Sequence, residues 1–260
     1  MNTWEALVLG VVQGATEFLP VSSSGHLVIT QVLLGIEVPG VLFEVAVHVA
    51  TLLSILLVYR QRVSTLAGGI VERDPDAIRY VLLIVVATIP AGLLGVFGKE
   101  IIEGLFDSPS TPGIALLVTG AFLWTTRKAL GRAVHEWPGW FAAFLIGLAQ
   151  ACALVPGISR SGATVVAALW LGIHSREAAA FSFLMAVPAI AGAAVLQIPD
   201  LGGGVGFAVI PLLAGATAAA LTGVLAIRTF VALLARESFH FFAPYCWAVG
   251  AAFLVYLRLA

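Results

Sequence analysis

The sequence predicts an all-α polytopic membrane protein: six transmembrane helices, two re-entrant helical hairpins and an inverted-topology repeat. Three observations predict it. They are the composition, the number of apolar stretches of spanning length, and two polar, serine-rich breaks at corresponding places in the chain. Of 260 residues, 60% are hydrophobic and only 10% charged, where a soluble domain carries about 25% charged residues. More than half of any folded surface is already apolar, so a soluble fold has nowhere to hide this excess and the bilayer is its natural solvent. The net charge of −1 offers no basic face, so no nucleic-acid partner is expected. Cys152 and Cys246 each sit in an apolar run, giving neither a disulfide framework nor metal-ligand spacing, and read as small buried residues. The first positive side chain is Arg60, whereas a secretory signal needs a positive n-region. The expectation is a mature chain from Met1.

A spanning helix needs about 20 apolar residues. Stretches 41–59, 78–98, 113–130, 179–197, 207–233 and 241–258 meet or approach this, the third being weakest because Thr125, Thr126, Arg127 and Lys128 crowd its end. Two further apolar regions, 4–35 and 139–174, are interrupted midway. The first interruption reads Glu-Phe-Leu-Pro-Val-Ser-Ser-Ser-Gly-His at 17–26; the second reads Leu-Val-Pro-Gly-Ile-Ser-Arg-Ser-Gly-Ala-Thr at 154–164. Half-helix, turn, half-helix fits both. Irregular backbone at membrane depth is tolerated only where it is buried in protein or lines a wet cavity, so two such breaks point to one shared internal site.

The breaks also repeat. At an offset of 137 residues, Gly10, Gln13, Ser22, Ser24 and Gly25 fall on Gly147, Gln150, Ser159, Ser161 and Gly162. Each half then reads as one broken hairpin plus three spans, within a single integral membrane domain over 1–260 (repeat 1 about 1–130, repeat 2 about 139–260). An odd number of crossings per half inverts the second against the first, a plan that places the site near the midplane at the repeat interface. Loop charge supports this topology. Arg60, Arg62, Arg73, Arg79, Arg127, Lys128, Arg132, Arg176, Arg228 and Arg236 fall on one side, and only Lys99 and Arg258 on the side of the termini. The positive-inside rule makes the rich side cytoplasmic, with both termini outside. Arg160 belongs to neither surface.

Ionisable residues inside the membrane mark function by default. Gln13 and Glu17 share a helix face at i, i+4, Pro20 ends that half-helix, and Ser22, Ser23 and Ser24 bring hydroxyls to the turn. Gly25 permits close backbone approach, and His26 opens the next half-helix. The second break brings Ser159, Arg160, Ser161, Gly162 and Thr164 to the same depth. An Arg between serines at a helix start is an oxyanion grip, since a guanidinium forks onto phosphate oxygens and exposed N–H groups favour negative charge. Hydroxyl plus imidazole is the minimum for a nucleophile with its base. A carboxylate with phosphate oxygens is how Mg²⁺ or Ca²⁺ is usually held.

Plainer readings stand beside these. Serines at a turn ordinarily cap helices, which applies to Ser22 and Ser24. Glu17 and Arg160 alternatively form only a structural ion pair, although such pairs rarely gain stability over apolar packing. Glu44 and His48 make a second i, i+4 polar pair, read first as buried and satisfied. His135, His174 and His240 lie near helix ends, and tryptophans such as Trp4, Trp137 and Trp140 suit an interfacial belt.

At these residues the sequence resembles the undecaprenyl-diphosphate phosphatases of the bacitracin-resistance type. The family's first signature stands here as Gly10-Val-Val-Gln-Gly-Ala-Thr-Glu-Phe-Leu-Pro-Val-Ser-Ser-Ser-Gly-His26, and its second as Pro156-Gly-Ile-Ser-Arg-Ser-Gly-Ala-Thr164. With Phe43-Glu44 and Phe181-Ser-Phe-Leu, the resemblance spans nearly the whole chain. It implies hydrolysis of undecaprenyl diphosphate to the monophosphate and inorganic phosphate, outside the cytoplasm at the bacterial inner membrane. That reaction recycles the cell-wall lipid carrier and confers bacitracin resistance. It also implies dependence on a divalent cation, Mg²⁺ or Ca²⁺. Carried over by position, the acidic motif falls on Gln13 and Glu17 as metal ligands, with Glu44 as a further candidate. The nucleophilic serine falls on Ser23, the histidine on His26 as base or proton donor, and the phosphate-gripping arginine on Arg160. Ser159, Ser161, Gly162, Thr164, Ser22 and Ser24 complete the expected phosphate surroundings. The expected partners are the polyprenyl diphosphate and the bilayer.

The rival from another class is a transporter or flippase of a phosphorylated polyprenyl lipid, since inverted repeats and broken helices are a transporter plan. A second membrane lipid phosphatase family needs a His six residues after its Arg; here that position is Val166, and the reading is discarded.

Overall fold

The computed structural model describes residues 1–36, 42–129, 131, 133–198 and 209–259. Arg132 and positions 41, 130, 207, 208 and 260, which figure in the expected spans, loops and domain, lie outside the described residues. The chain folds as α1 (Thr3–Phe18), α2 (Ser23–Leu34), α3 (Leu42–Val58), α4 (Arg60–Glu72), α5 (Pro75–Phe97), α6 (Lys99–Asp107), α7 (Thr111–Ala129), α8 (Trp140–Cys152), α9 (Arg160–Trp170), α10 (Ser175–Leu196), α11 (Val209–Ala235) and, after a 3₁₀ turn at Phe239–Phe241, α12 (Phe242–Leu259). No β-strand occurs among the described residues.

Among the described residues four helices are long and apolar enough to cross a membrane: α5, α10, α11 and the Phe239–Leu259 segment. A fifth span arises if α3 is counted with α4, from which it bends by 79°. The bend falls where the apolar run gives way to Arg60, Gln61 and Arg62. The expected span 113–130 forms as α7 but is not apolar enough to qualify by composition alone. Two of its threonines face protein, Thr119 and Thr126 being fully buried, while Thr125, Arg127 and Lys128 are exposed at its end; α7 packs on α12, α9 and α2.

The two broken regions form as expected, α1 with α2 and α8 with α9. Each hairpin packs its first arm on a long helix of the opposite half, α1 against α11 and α8 against α5. Glycines permit both approaches. A methyl at Gly10 would run into the backbone of Gly215, and one at Gly147 would meet the Ala87 carbonyl at 2.5 Å. Apolar side chains gain nothing by leaving lipid for protein, so close backbone approach through small residues takes over as the source of packing energy. At the end of α1, Phe18 packs edge-on against Phe183 of α10 with centroids 5.6 Å apart, and Phe183 packs on Phe230 of α11 at 4.9 Å. This cluster anchors the end of α1 beside Glu17.

The helix ends carrying the positive loop charges lie together. Arg62 of α4 donates to Glu177 at the start of α10 at 3.1 Å, and Tyr80 of α5 donates to the same carboxylate oxygen at 2.5 Å.

Candidate functional site

The hairpins meet tip to tip. Pro20 stops the first arm, whose last helical residue is Phe18, and α2 starts at Ser23, placing His26 in its first turn. Ser22 adopts a left-handed backbone (φ 68°), an uncommon conformation for a residue with a side chain. Its hydroxyl accepts from Gly25 N at 3.3 Å and, across the interface, from Gly157 N at 3.1 Å. Ser22 is thus a cap and a link between tips. Gly157, at φ 101°, allows no larger residue, since a Cβ would meet Pro112 O at 2.5 Å. Each tip is also held by the last helix of the opposite half. Thr119 of α7 donates to Gly157 O at 2.8 Å and accepts from Ser159 N at 3.2 Å, while Cys246 of α12 lies 3.7 Å from Pro20 O.

This junction seats one polar constellation. Glu17, its side chain 6% exposed, receives Arg160 Nη2 on Oε1 at 2.5 Å. Its Oε2 accepts from Ser23 Oγ at 2.5 Å and from Gln13 Nε2 at 3.0 Å. Gln13, Glu17, Ser23 and Arg160, drawn from both breaks, therefore converge on one carboxylate. Two buried atoms beside it have no partner among the described residues, the acceptor Gln13 Oε1 and the donor Arg160 Nη1. Burying an unpaired polar atom costs free energy, so this acceptor and this donor are suited to a cation and an anion together. An amide needs only a half-turn to present its oxygen where its nitrogen stood. These oxygens fit a hard divalent ion, although no cluster of three His, Cys, Asp or Glu exists among the described residues.

The remaining expected residues take quieter positions. Ser159 caps α9, accepting from Gly162 N at 3.1 Å; Ser161 donates to Leu19 O at 3.2 Å, tying α9 to the first break. Thr164 lies 2.6 Å from Ser182 Oγ of α10 and donates to Arg160 O at 2.8 Å. Ser24 reaches Ser22 Oγ at 3.4 Å. His26 uses both ring nitrogens: Nδ1–H donates to Ser22 O at 2.8 Å, and Nε2 accepts from Tyr245 OH at 2.9 Å. The group in contact with the Ser23 hydroxyl is Glu17, not His26. Glu44 contributes its backbone carbonyl, which accepts from His48 Nδ1–H at 2.7 Å.

Sequence reasoning did not place His48 or Tyr245. His48 Nε2 stands 4.0 Å from Glu17 Oε2, and Tyr245 approaches His26 across 219 residues of chain. His48 carried a usable signal, an ionisable residue inside an apolar span. Tyr245, at a helix start, carried none. In the second half the counterpart of Gln13 is Gln150, buried with both amide atoms unpartnered. Glu17 has Leu154 at the matching offset, so the carboxylate belongs to one half alone.

The family profile described as bacitracin resistance protein BacA matches residues 6–252. The chain is similar to an undecaprenyl-diphosphatase of Alkaliphilus metalliredigens, 42% identical over the full length of both chains. It is similar also to one of Desulfatibacillum aliphaticivorans, 41% identical over 98% of this chain and 99% of that one. Undecaprenyl-diphosphatase 1 of Bacillus cereus is 38% identical over 96% of each.

Proposed function

The chain belongs to the bacitracin-resistance BacA family, and from that membership we propose that it hydrolyses undecaprenyl diphosphate to undecaprenyl phosphate and inorganic phosphate. The observation that carries the reading is the convergence of Ser23, Glu17 and Arg160 at the hairpin junction, with Arg160 Nη1 still unpartnered. A nucleophile, an acceptor for its proton and an anion grip stand within one cluster of bonds.

In this reading Ser23 Oγ attacks the terminal phosphorus and its proton passes to Glu17 Oε2. The P–O bond to the lipid phosphate breaks, and water later cleaves the seryl phosphate to release inorganic phosphate. Arg160 keeps Nη2 on Glu17 and turns Nη1 to the phosphoryl oxygens. Phosphoryl transfer depends mainly on positioning and charge stabilisation, which one guanidinium shared between carboxylate and phosphate supplies. His26 and Tyr245 brace the Ser22–Ser24 turn; a proton-donor role for His26 requires its imidazole to exchange one partner for substrate. Gln13 and Glu17 would hold the divalent cation, Mg²⁺ or Ca²⁺, which when bound neutralises phosphate oxygens facing Ser23. Glu44, whose carbonyl holds His48, stands as a further candidate for that donor set. The capping hydroxyls of Ser22 and Ser159 keep the backbone in shape, while Ser24 and Ser161 border the anion.

The same reading places the site on the outer side of the bacterial cytoplasmic membrane. Basic residues lie at the start of α4 and just after it, at the end of α7, late in α11 and just after it, and at the starts of α5 and α10, and this bias marks the cytoplasmic side. It also treats the chain as one membrane domain of two inverted repeats, supported by the exchanged contacts of Gly10 with α11 and Gly147 with α5. Phosphate release from undecaprenyl diphosphate by protein purified in detergent, where no two sides exist, tests the function. Turnover is expected. Tight lipid binding without release would instead favour the transporter class.

A further inference from the structure

We propose that His48 is a ligand of the divalent cation, joining Glu17 and Gln13 in a mixed nitrogen and oxygen site. The inference deepens the hydrolase reading and takes from it the need for a cation. Three observations carry it. His48 Nε2 stands 4.0 Å from Glu17 Oε2, too far for a hydrogen bond. Two ligands of one ion, each roughly 2.1 Å from it, lie roughly 3 to 4.2 Å apart, so the gap has the width for a shared ion. His48 Nδ1–H donates to the Glu44 carbonyl at 2.7 Å, which leaves the Nε2 lone pair free and fixes the ring. Metal-ligating histidines are usually held in this way, through the other ring nitrogen on a carbonyl or carboxylate. Third, Gln13, fully buried, holds an amide oxygen with no protein partner beside the same carboxylate.

An imidazole changes which ion the site prefers. Carboxylate and amide oxygens alone suit Mg²⁺ and Ca²⁺, whereas a nitrogen donor raises affinity for first-row transition ions. The site therefore accepts Mn²⁺ or Co²⁺ more tightly than an all-oxygen set would, and His48 is the residue responsible. The side chain is one-third exposed, so its replacement leaves the packed core intact.

The test is Mn²⁺ binding to the full-length protein in detergent, without substrate, followed by electron paramagnetic resonance. Wild type is expected to bind Mn²⁺ with nitrogen coupling from one imidazole. His48→Gln and His48→Ala, checked for unchanged thermal melting without metal, should lose that coupling. Their Mn²⁺ affinity should fall at least ~10-fold, while His48→Gln, with an oxygen restored, keeps its Mg²⁺ affinity within about threefold. Absent Mn²⁺ binding, absent nitrogen coupling in wild type, or coupling retained in His48→Gln overturns the assignment. Phosphate release persisting without nitrogen coupling removes His48 alone. Coupling intact without phosphate release removes the hydrolase reading and leaves the ligand assignment standing.

Discussion

Arg160 of the second hairpin donates through Nη2 to Glu17 of the first at 2.5 Å, across 143 residues of chain. Because Ser23 donates to the other oxygen of the same carboxylate, the two breaks are not separate polar defects but halves of one site. Burying such a pair rarely gains stability over apolar packing, so the arrangement calls for a chemical use.

Ser23→Ala removes the hydroxyl on Glu17 Oε2 and leaves the hairpin caps in place, since Ser22 and Ser159 perform the capping. Phosphate release should fall at least ~10³-fold with little change in melting temperature, as expected when one member of a nucleophilic unit is removed. Substantial residual turnover would make water the attacking group and Ser23 a bystander.

Chelation should stop phosphate release, and Mg²⁺ or Ca²⁺ should restore it. Gln13→Leu deletes the unpartnered amide oxygen and should raise the metal concentration for half-maximal rate by about tenfold or more. Gln13→Glu adds a charged ligand and should lower it. A metal titration that is the same for all three proteins would remove Gln13 from the cation site.

His26→Asn and Tyr245→Phe separate bracing from proton transfer. If Tyr245 only steadies His26 through Nε2, Tyr245→Phe should stay within about tenfold of wild type, the loss of one neutral hydrogen bond of about 1 kcal/mol. His26→Asn, which unlatches the strained Ser22 turn, should cost more. Rates with a substrate bearing a better leaving group distinguish the roles. Selective rescue of His26→Asn would assign proton donation to His26.

Gly10→Ala and Gly147→Ala should each lower the melting temperature, because the added methyl strikes the backbone of the helix opposite. Overpacking of this kind costs about 1–3 kcal/mol. Val11→Ala, at a lipid-facing and 45% exposed position, should change little. Equal stability of all three would mean that the hairpin arms are not set by close backbone approach.

Much of this was legible in the sequence because its signals are local. Proline and glycine mark the breaks at Pro20 and Gly157, serines one residue before α2 and α9 mark their caps, and Arg160 opens a helix at membrane depth. What stayed hidden depends on contacts between distant segments. Whether His26 or Glu17 meets Ser23 follows from how α2 is rotated by Tyr245 and the Ser22 carbonyl, and no periodicity encodes that rotation. His48 looked like the partner of Glu44 at i, i+4; in the fold its ring takes only the Glu44 carbonyl and turns its free nitrogen to Glu17. The 79° bend between α3 and α4 was also missed, since helical periodicity continues through Tyr59 while the preferred solvent changes.

In the proposed mechanism the two hairpin tips form one phosphate-cleaving site. Its most direct test compares phosphate release from undecaprenyl diphosphate in detergent by wild type and Arg160→Ala. Wild type should turn over, and the variant should be slower by at least ~10²–10³-fold, the loss typical of one donor to a developing oxyanion. An Arg160→Ala protein within about threefold of wild type, well inside that range, would contradict the account.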